Sequence, residues 1–206
     1  MSAGLRLVVA TTNPNKLREI RGILSGVGVS VDGLDAFPPV TEPEETGATF
    51  AENARQKAAY YSGALGLTVV AEDSGLEIDG LGGEPGVQSA RYGGPAAAAY
   101  PQKFALIYEG LRAKGAMGSP ARFVCALAVA DGSSILFEAR GTIEGRISDV
   151  PAGGGGFGYD PIFLYPPLGR TLAELGEDEK AVVSHRGQAF RQLRDHLASQ
   201  PPWLRW

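Results

Sequence analysis

The chain has 206 residues, 44% of them hydrophobic and 20% charged, with a formal net charge of −4. That length can bury a core without disulfide staples, and the negative balance argues against generic binding to a nucleic-acid backbone. No apolar run approaches the ~20 residues of a membrane span, and the apolar stretch in the opening "MSAGLRLVVA" is too short for a secretory signal. The one cysteine, Cys125, can form no internal disulfide and reads as a small buried hydrophobe. The expectation is a cytoplasmic protein with no membrane and no nucleic-acid partner, in which a local positive cluster can still hold a small anion.

Residues 5–10 ("LRLVVA") predict a strand, and Leu17, Ile20 and Leu24 give one apolar face to a helix ending before Gly26 and Gly28. "VSVDGL" predicts a second strand, and residues 36–48 ("AFPPVTEPEETGA") a loop rich in proline and glutamate. Thr49 followed by Glu52 is a capping box for a helix with Phe50, Ala54, Ala58 and Tyr61 along one side. "LTVVA" (67–71) predicts a short apolar strand, "GLEIDGL" alternates as a half-exposed strand does, and D-S-G between them has turn chemistry. "GGEPGVQSARYGGP" is rich in turn residues, and Pro101 can open a helix carrying Phe104, Ile107 and Leu111. The clearest hairpin is "ARFVCALAVADGSSILFEARGTIEGRI", with Asp131-Gly132 at or near its turn. A long loop, "SDVPAGGGGFGYDPIF", is followed by a capping pattern from Thr171 to Glu174. Ser184 can cap a final helix with Phe190, Leu193 and Leu197 inward and His196 at the surface. No internal repeat is present, and the alternation of elements predicts a mixed α/β chain.

Three polar clusters stand out. In open α/β sheets ligands bind beyond the carboxyl ends of strands, where "TTNPNK" follows the first strand. Backbone N–H groups at a helix start attract anions; Thr11, Thr12, Asn13 and Asn15 add donors and Lys16 a charge. The stretch has no glycine, so it reads either as a phosphate loop built from side chains or as a plain capped helix start. In "VVAEDSG", Glu72, Asp73 and Ser74 follow an apolar strand. Two adjacent acids repel unless a cation or exposure relieves them, so this is either a magnesium site or a turn. Glu42, Glu44 and Glu45 are a further ligand source or a solvated loop. Lys57, one helical turn past Asn53, either snorkels to water or meets a metal–phosphate complex. In the third cluster, "GGGGFGYDPIF" with "EDEKAVVSHRG", Phe157 can stack on a flat ligand and Asp160 can accept from a ring N–H. Lys180, His185 and Arg186 bring donors, the last two in a helical first turn where cations oppose the dipole; the alternative is a surface loop with an exposed basic turn.

The stretches "VVATTNPNK", "EETGATFAENARQKA", "EDSGLEIDGLGGEPGVQSARY", "GGFGYDPIF" and "EKAVVSHRGQA" together resemble the motifs, in order, of the non-standard purine nucleoside triphosphate pyrophosphatases, which act on ITP, dITP and XTP. Each motif is weak alone; in series they span nearly the whole chain. The resemblance implies one nucleotide-pyrophosphatase domain over residues 1–206, with an α/β fold: a two-lobed mixed sheet flanked by helices, and a nucleotide cleft between the lobes. It also implies a homodimer and Mg2+-dependent hydrolysis of the triphosphate to monophosphate and pyrophosphate.

By the same resemblance Thr11, Thr12, Asn13, Pro14, Asn15 and Lys16 form the phosphate loop, Lys57 contacts phosphate, and Ser74 contacts substrate. Glu45 and Asp73 match the metal-binding acids, Asp73 being also the general base. Phe157, Gly158, Tyr159, Asp160, Lys180, His185 and Arg186 match the base pocket, and Arg91 is a weaker phosphate candidate. One departure is Thr12, where the family's loop commonly reads T-G-N-x-x-K. A β-branched residue resists positive φ, so a slightly different loop geometry is expected. Two rivals remain. One is a septum-inhibitor-type pyrophosphatase acting on modified pyrimidine triphosphates, whose first loop is typically richer in serine and arginine. The other is a non-catalytic nucleotide-binding module.

Overall fold

A computed structural model describes residues 5–200; Met1–Gly4 of the opening segment and the last six residues lie outside that range. Its strands are β1 (Leu5–Val9), β2 (Val29–Gly33), β3 (Val69–Ile78), β4 (Pro120–Asp131), β5 (Ser134–Ile147), β6 (Phe163–Tyr165) and β7 (Arg170–Thr171). They form one sheet in the order β2-β1-β3-β4-β5-β6-β7. It is mixed: β1 runs parallel to β2 and β3, whereas β5, β6 and β7 pair antiparallel. The α-helices are α1 (Pro14–Ile23), α2 (Phe50–Leu65), α3 (Tyr100–Ala113), α4 (Glu177–Val183) and α5 (His185–Ser199). Among the described residues no helix is long and apolar enough to cross a membrane.

The chain divides into two compact units, and β3, β4 and β5 each contribute residues to both. The first holds the chain up to Asp73, Cys125–Gly141, and the segment from His185 onward. Leu7, Val8 and Val9 are all buried, as a strand covered on both faces requires. Leu7, Val9, Val70, Cys125, Leu127 and Val129 pack with Leu17, Ile20 and Leu24 and with Phe190, Leu193 and Leu197. These are the helical stripes the spacing predicted. Thr49 caps α2 by accepting from the Glu52 N–H at 3.2 Å, while the Glu52 carboxylate reaches the Ala48 N–H at 2.7 Å, one residue further back than a capping box requires.

The second unit holds Ser74–Val124 and Thr142–Ser184. Its core joins Leu76 and Ile78, Phe104, Ile107 and Leu111 of α3, Phe123, Ile143 and Ile147, and Ile162, Phe163 and Leu172. The predicted cap at Thr171 is formed, with Glu174 accepting from the Thr171 N–H at 2.7 Å, but it opens only a single 3-10 turn.

Two expectations are corrected. Residues 67–78 are not two strands about a turn: β3 runs unbroken through Glu72, Asp73 and Ser74. Successive side chains in a strand leave on opposite faces, so adjacent acids need not confront each other. Gly75 serves close approach rather than a turn: a Cβ there would lie 2.7 Å from the Gly86 carbonyl oxygen and 2.9 Å from Ser89 Cβ. Ser89 in turn accepts the Leu76 N–H at 2.9 Å. His196, expected at the surface, is half-buried and stacks on Phe137 with ring centroids 4.6 Å apart. We expect Gly75→Ala to destabilise the protein by about 1–3 kcal/mol through overpacking, read as a lower urea midpoint with unchanged slope; a midpoint equal to wild type would show that Ser89 yields without cost.

Candidate active site

In the first loop Asn13 Oδ1 accepts the N–H groups of Asn15 (2.9 Å) and Lys16 (3.3 Å), and Thr11 Oγ1 accepts the Asn13 N–H (3.1 Å). The stretch is therefore a capped helix start, with Pro14 in the first turn. Two of the N–H groups that could have met an anion are occupied by the cap, leaving the threonine hydroxyls and Lys16 as the donors suited to phosphate. No non-glycine residue among those described has positive φ, so Thr12 fits without the left-handed backbone a glycine would have permitted.

Lys16 reaches across to β3, its Nζ 2.6 Å from Glu72 Oε1. The same oxygen lies 3.3 Å from Arg186 Nη2, and Arg186 Nη1 lies 3.1 Å from Glu19 Oε2. Burial lowers the affinity of the Arg186 guanidinium for its proton, but the charges of Glu72 and Glu19 outweigh burial and raise it. Cys125 Sγ is 3.5 Å from Glu72 Oε2; burial first, and then the Glu72 charge, push its thiol well above the ordinary value. A thiol held protonated is no nucleophile, in keeping with the apolar reading of Cys125. The sequence grouped Arg186 with Phe157, Asp160 and Lys180, whereas its guanidinium here grips Glu72 and Glu19. Glu19 was not anticipated: nothing in the sequence connects it to an arginine 167 residues away.

Asp73 leaves β3 on the opposite face, towards α2. Asn53 Nδ2 donates to its Oδ2 at 2.8 Å. One turn further along α2, Lys57 Nζ donates to Glu45 Oε1. Asp73 is 8% exposed and its carboxyl is pushed up to about 6 from an ordinary 3.8. Burial is the main cause; the Asn53 hydrogen bond opposes it, Glu45 and Glu72 reinforce it, and Lys57 opposes it. Burial lowers Lys57, but its bond to Glu45 and the fields of Glu45, Asp73 and Glu72 raise it on balance. This face of β3 is thus short of positive charge, which suits a hard cation held by oxygen. Among the described residues no group of three or more His, Cys, Asp or Glu is arranged to hold a metal; Glu45 and Asp73 fit the lighter requirement of a cation that takes one or two carboxylates and completes its shell with phosphate and water.

The third cluster assembles in the second unit. Asp160 is 2% exposed; its Oδ2 accepts the Phe157 N–H at 2.7 Å and the Lys180 ammonium at 2.5 Å. Lys180 Nζ also lies 4.7 Å from the centroid of the half-buried Phe157 ring. Gly156 has φ +67°, and a Cβ there would sit 3.1 Å from Lys180 Nζ, so backbone and space both call for glycine. Tyr159 is buried and its hydroxyl donates to the Ser89 carbonyl at 2.8 Å. Ser74 is half-buried on β3, and Gly158 is half-buried in the loop. His185 is buried at the start of α5, in the first unit.

Thr11, Thr12, Asn13 and Pro14 also line a cavity of about 640 Å³ with Leu17, Leu34, Asp35, Phe37, Pro38, Pro39, Val40, Glu42, Tyr61 and Leu65. Its walls carry acids and no lysine or arginine, the wrong sign for a polyphosphate.

A sheet strand presenting a buried carboxylate on one face, with a second carboxylate and a lysine beside it, and a lysine-paired carboxylate on the other face, is the equipment of an α/β protein that handles phosphate groups. The chain belongs to the Ham1 family, whose model matches residues 7–196. It is 49% identical over 193 residues to the dITP/XTP pyrophosphatase of an Exiguobacterium species, covering 94% of this chain and 97% of that protein. With a dITP/XTP pyrophosphatase of Thermus thermophilus it shares 46% identity over 204 residues, 98% of this chain and 96% of the relative. A solved HAM1 protein from Coxiella burnetii matches with a TM-score of 0.89 and 39% identity, over 95% of this chain and all of that one.

The charges on β3 carry two predictions about stability. Glu72→Gln leaves Arg186 and Lys16 short of their shared carboxylate, so we expect a loss of about 3 kcal/mol in urea unfolding. Glu19→Gln should cost less because the Glu19 side chain is 18% exposed; equal losses would deny Glu72 its special place. For Asp73 the folded value exceeds the unfolded one, so the neutral carboxyl is favoured on folding. That stabilisation is complete below about pH 4 and is lost as pH rises through about 6. With divalent cations chelated, Asp73→Asn should therefore be more stable than wild type at pH 8, by at most about 3 kcal/mol, and the gap should close towards pH 4. A pH-independent gap would contradict the charge argument.

Proposed function

We propose that this protein hydrolyses non-standard purine nucleoside triphosphates, ITP, dITP and XTP, to the monophosphate and pyrophosphate, clearing them from the nucleotide pool. The observation that carries this reading is Asp73, a buried carboxylate bonded to Asn53 and set beside Glu45 and Lys57. Two full-length relatives bear the name dITP/XTP pyrophosphatase.

On this reading Thr11, Thr12, Asn13, Pro14, Asn15, Lys16 and Lys57 bind and orient the phosphate chain. Lys16 brings its charge while anchored to Glu72, and Lys57 while anchored to Glu45. Asp73 takes a proton from a water molecule as the water oxygen attacks the α-phosphorus. The bond from that phosphorus to the α–β bridging oxygen breaks, and pyrophosphate leaves with its electron pair. Glu45 and Asp73 would hold a Mg2+ ion, which when bound neutralises phosphate charge and lowers the pKa of water. Without a cation the Asp73 carboxyl is raised to about 6, chiefly by burial; a bound Mg2+ would favour its ionised form, the form that accepts a proton.

Base recognition falls to Phe157, Gly158, Tyr159, Asp160 and Lys180 of the second unit, with Ser74 as a further substrate contact; Arg186, its guanidinium committed to Glu72 and Glu19, acts from the first unit by anchoring Glu72. A lysine donates only, so Lys180 favours the oxygen at purine position six over adenine's amino group; a mismatched buried polar pair costs ~1–3 kcal/mol. Phe157 offers the face for stacking. The same reading makes the two units lobes of one domain and carries a cytoplasmic homodimer.

The test is turnover of ITP, XTP, GTP and ATP with Mg2+, with the phosphate product identified. We expect pyrophosphate from ITP and XTP, and kcat lowered about 10²–10⁴-fold in Asp73→Asn while nucleotide still binds. Orthophosphate as the product, or undiminished turnover in Asp73→Asn, would overturn the reading.

A further inference from the structure

Asn53 stands at the join between the loop that carries Glu45 and the strand that carries Asp73. Its side chain, on the inner face of α2, is 1% exposed. Oδ1 accepts the Gly47 N–H at 2.7 Å and Nδ2 donates to Asp73 Oδ2 at 2.8 Å. A backbone N–H can only donate and a carboxylate can only accept, so the amide has one orientation that satisfies both ends. Gly47 lies two residues beyond Glu45, and the contact depends on its being glycine. A Cβ there would stand 2.6 Å from Asn53 Oδ1, 2.8 Å from Glu52 Cβ and 2.9 Å from the Asn53 nitrogen. Lys57, on the same face of α2 one turn on, bonds the Glu45 side chain itself. One helix face thus holds the Glu45 loop twice, by backbone through Asn53 and by carboxylate through Lys57, while Asn53 also turns Asp73.

We propose that Asn53, seated against Gly47, is a positioning residue that sets the Asp73 carboxylate and the Glu45 loop in register with each other. The inference rests on the function proposed above. Asn53 touches neither substrate nor metal in this account; it acts through the two acids. A purely structural amide would support stability and leave catalysis and metal affinity alone, and the experiment separates the two.

Three variants divide the contact. Asn53→Ala removes both bonds. Asn53→Asp keeps an acceptor for the Gly47 N–H but turns a second carboxylate on Asp73. Gly47→Ala keeps the amide and displaces the loop. Each is measured well below its melting temperature for kcat and KM on ITP, for Mn2+ binding to nucleotide-free protein by electron paramagnetic resonance, and for hydrogen exchange at the residue-47 amide. We expect kcat to fall about 10–100-fold in all three with KM little changed, and Mn2+ to bind about tenfold more weakly to Asn53→Ala and Gly47→Ala. Exchange protection at Gly47 should be lost in Asn53→Ala and kept in Asn53→Asp. Should Asn53→Ala fail to fold, the other two variants carry the same readouts. Folded variants with wild-type kcat and wild-type Mn2+ affinity overturn the inference. A wild-type protein that releases no pyrophosphate from ITP overturns the functional reading instead, and the Mn2+ and exchange measurements still decide the role of Asn53.

Discussion

Two carboxylates buried side by side in one strand set the terms for the first unit. Glu72 is 5% exposed and Asp73 is 8% exposed, and a charge taken out of water must be compensated or give up its ionisation. The pleat sends the two side chains to opposite faces, so each is answered by different helices. Glu72 meets α1 through Lys16 and α5 through Arg186. Asp73 meets α2 through Asn53.

The two answers differ in kind. Glu72 receives two full positive charges, and Arg186 is further shared with Glu19. That face is electrostatically closed; it fixes where Lys16 and the start of α5 lie. Asp73 receives a neutral amide from Asn53, and Lys57, whose field also acts on it, is bonded to Glu45. Its carboxyl is therefore pushed up to about 6, the state expected of a group kept for chemistry rather than for stability.

The second unit solves a different problem, that of holding the Phe157 loop against the Lys180 ammonium of α4. Asp160 does so by accepting from both the Phe157 backbone and Lys180, and Gly156 leaves room for the carboxylate. Lys180 is consequently a donor of fixed position with a partner already at hand, which suits recognition of a ligand oxygen better than diffuse attraction.

Local chemistry was legible in the sequence wherever a short-range rule governs it. The apolar stripes of α1, α2 and α5 follow from a 3.6-residue period, Thr49 and Asn13 are caps because their oxygens reach the next free N–H groups, and Cys125 was read correctly from its apolar neighbours. The family motifs were also visible as strings of residues. What remained hidden was which group neutralises which. D-S-G reads as a turn by local preference, yet tertiary pairing draws it straight into β3; Arg186 and Glu19 meet across 167 residues; and Gly47 matters only because Asn53 is packed against it. Composition and periodicity are properties of neighbours along the chain, whereas the compensation of buried charge is a property of neighbours in space, and only the folded sheet brings those together.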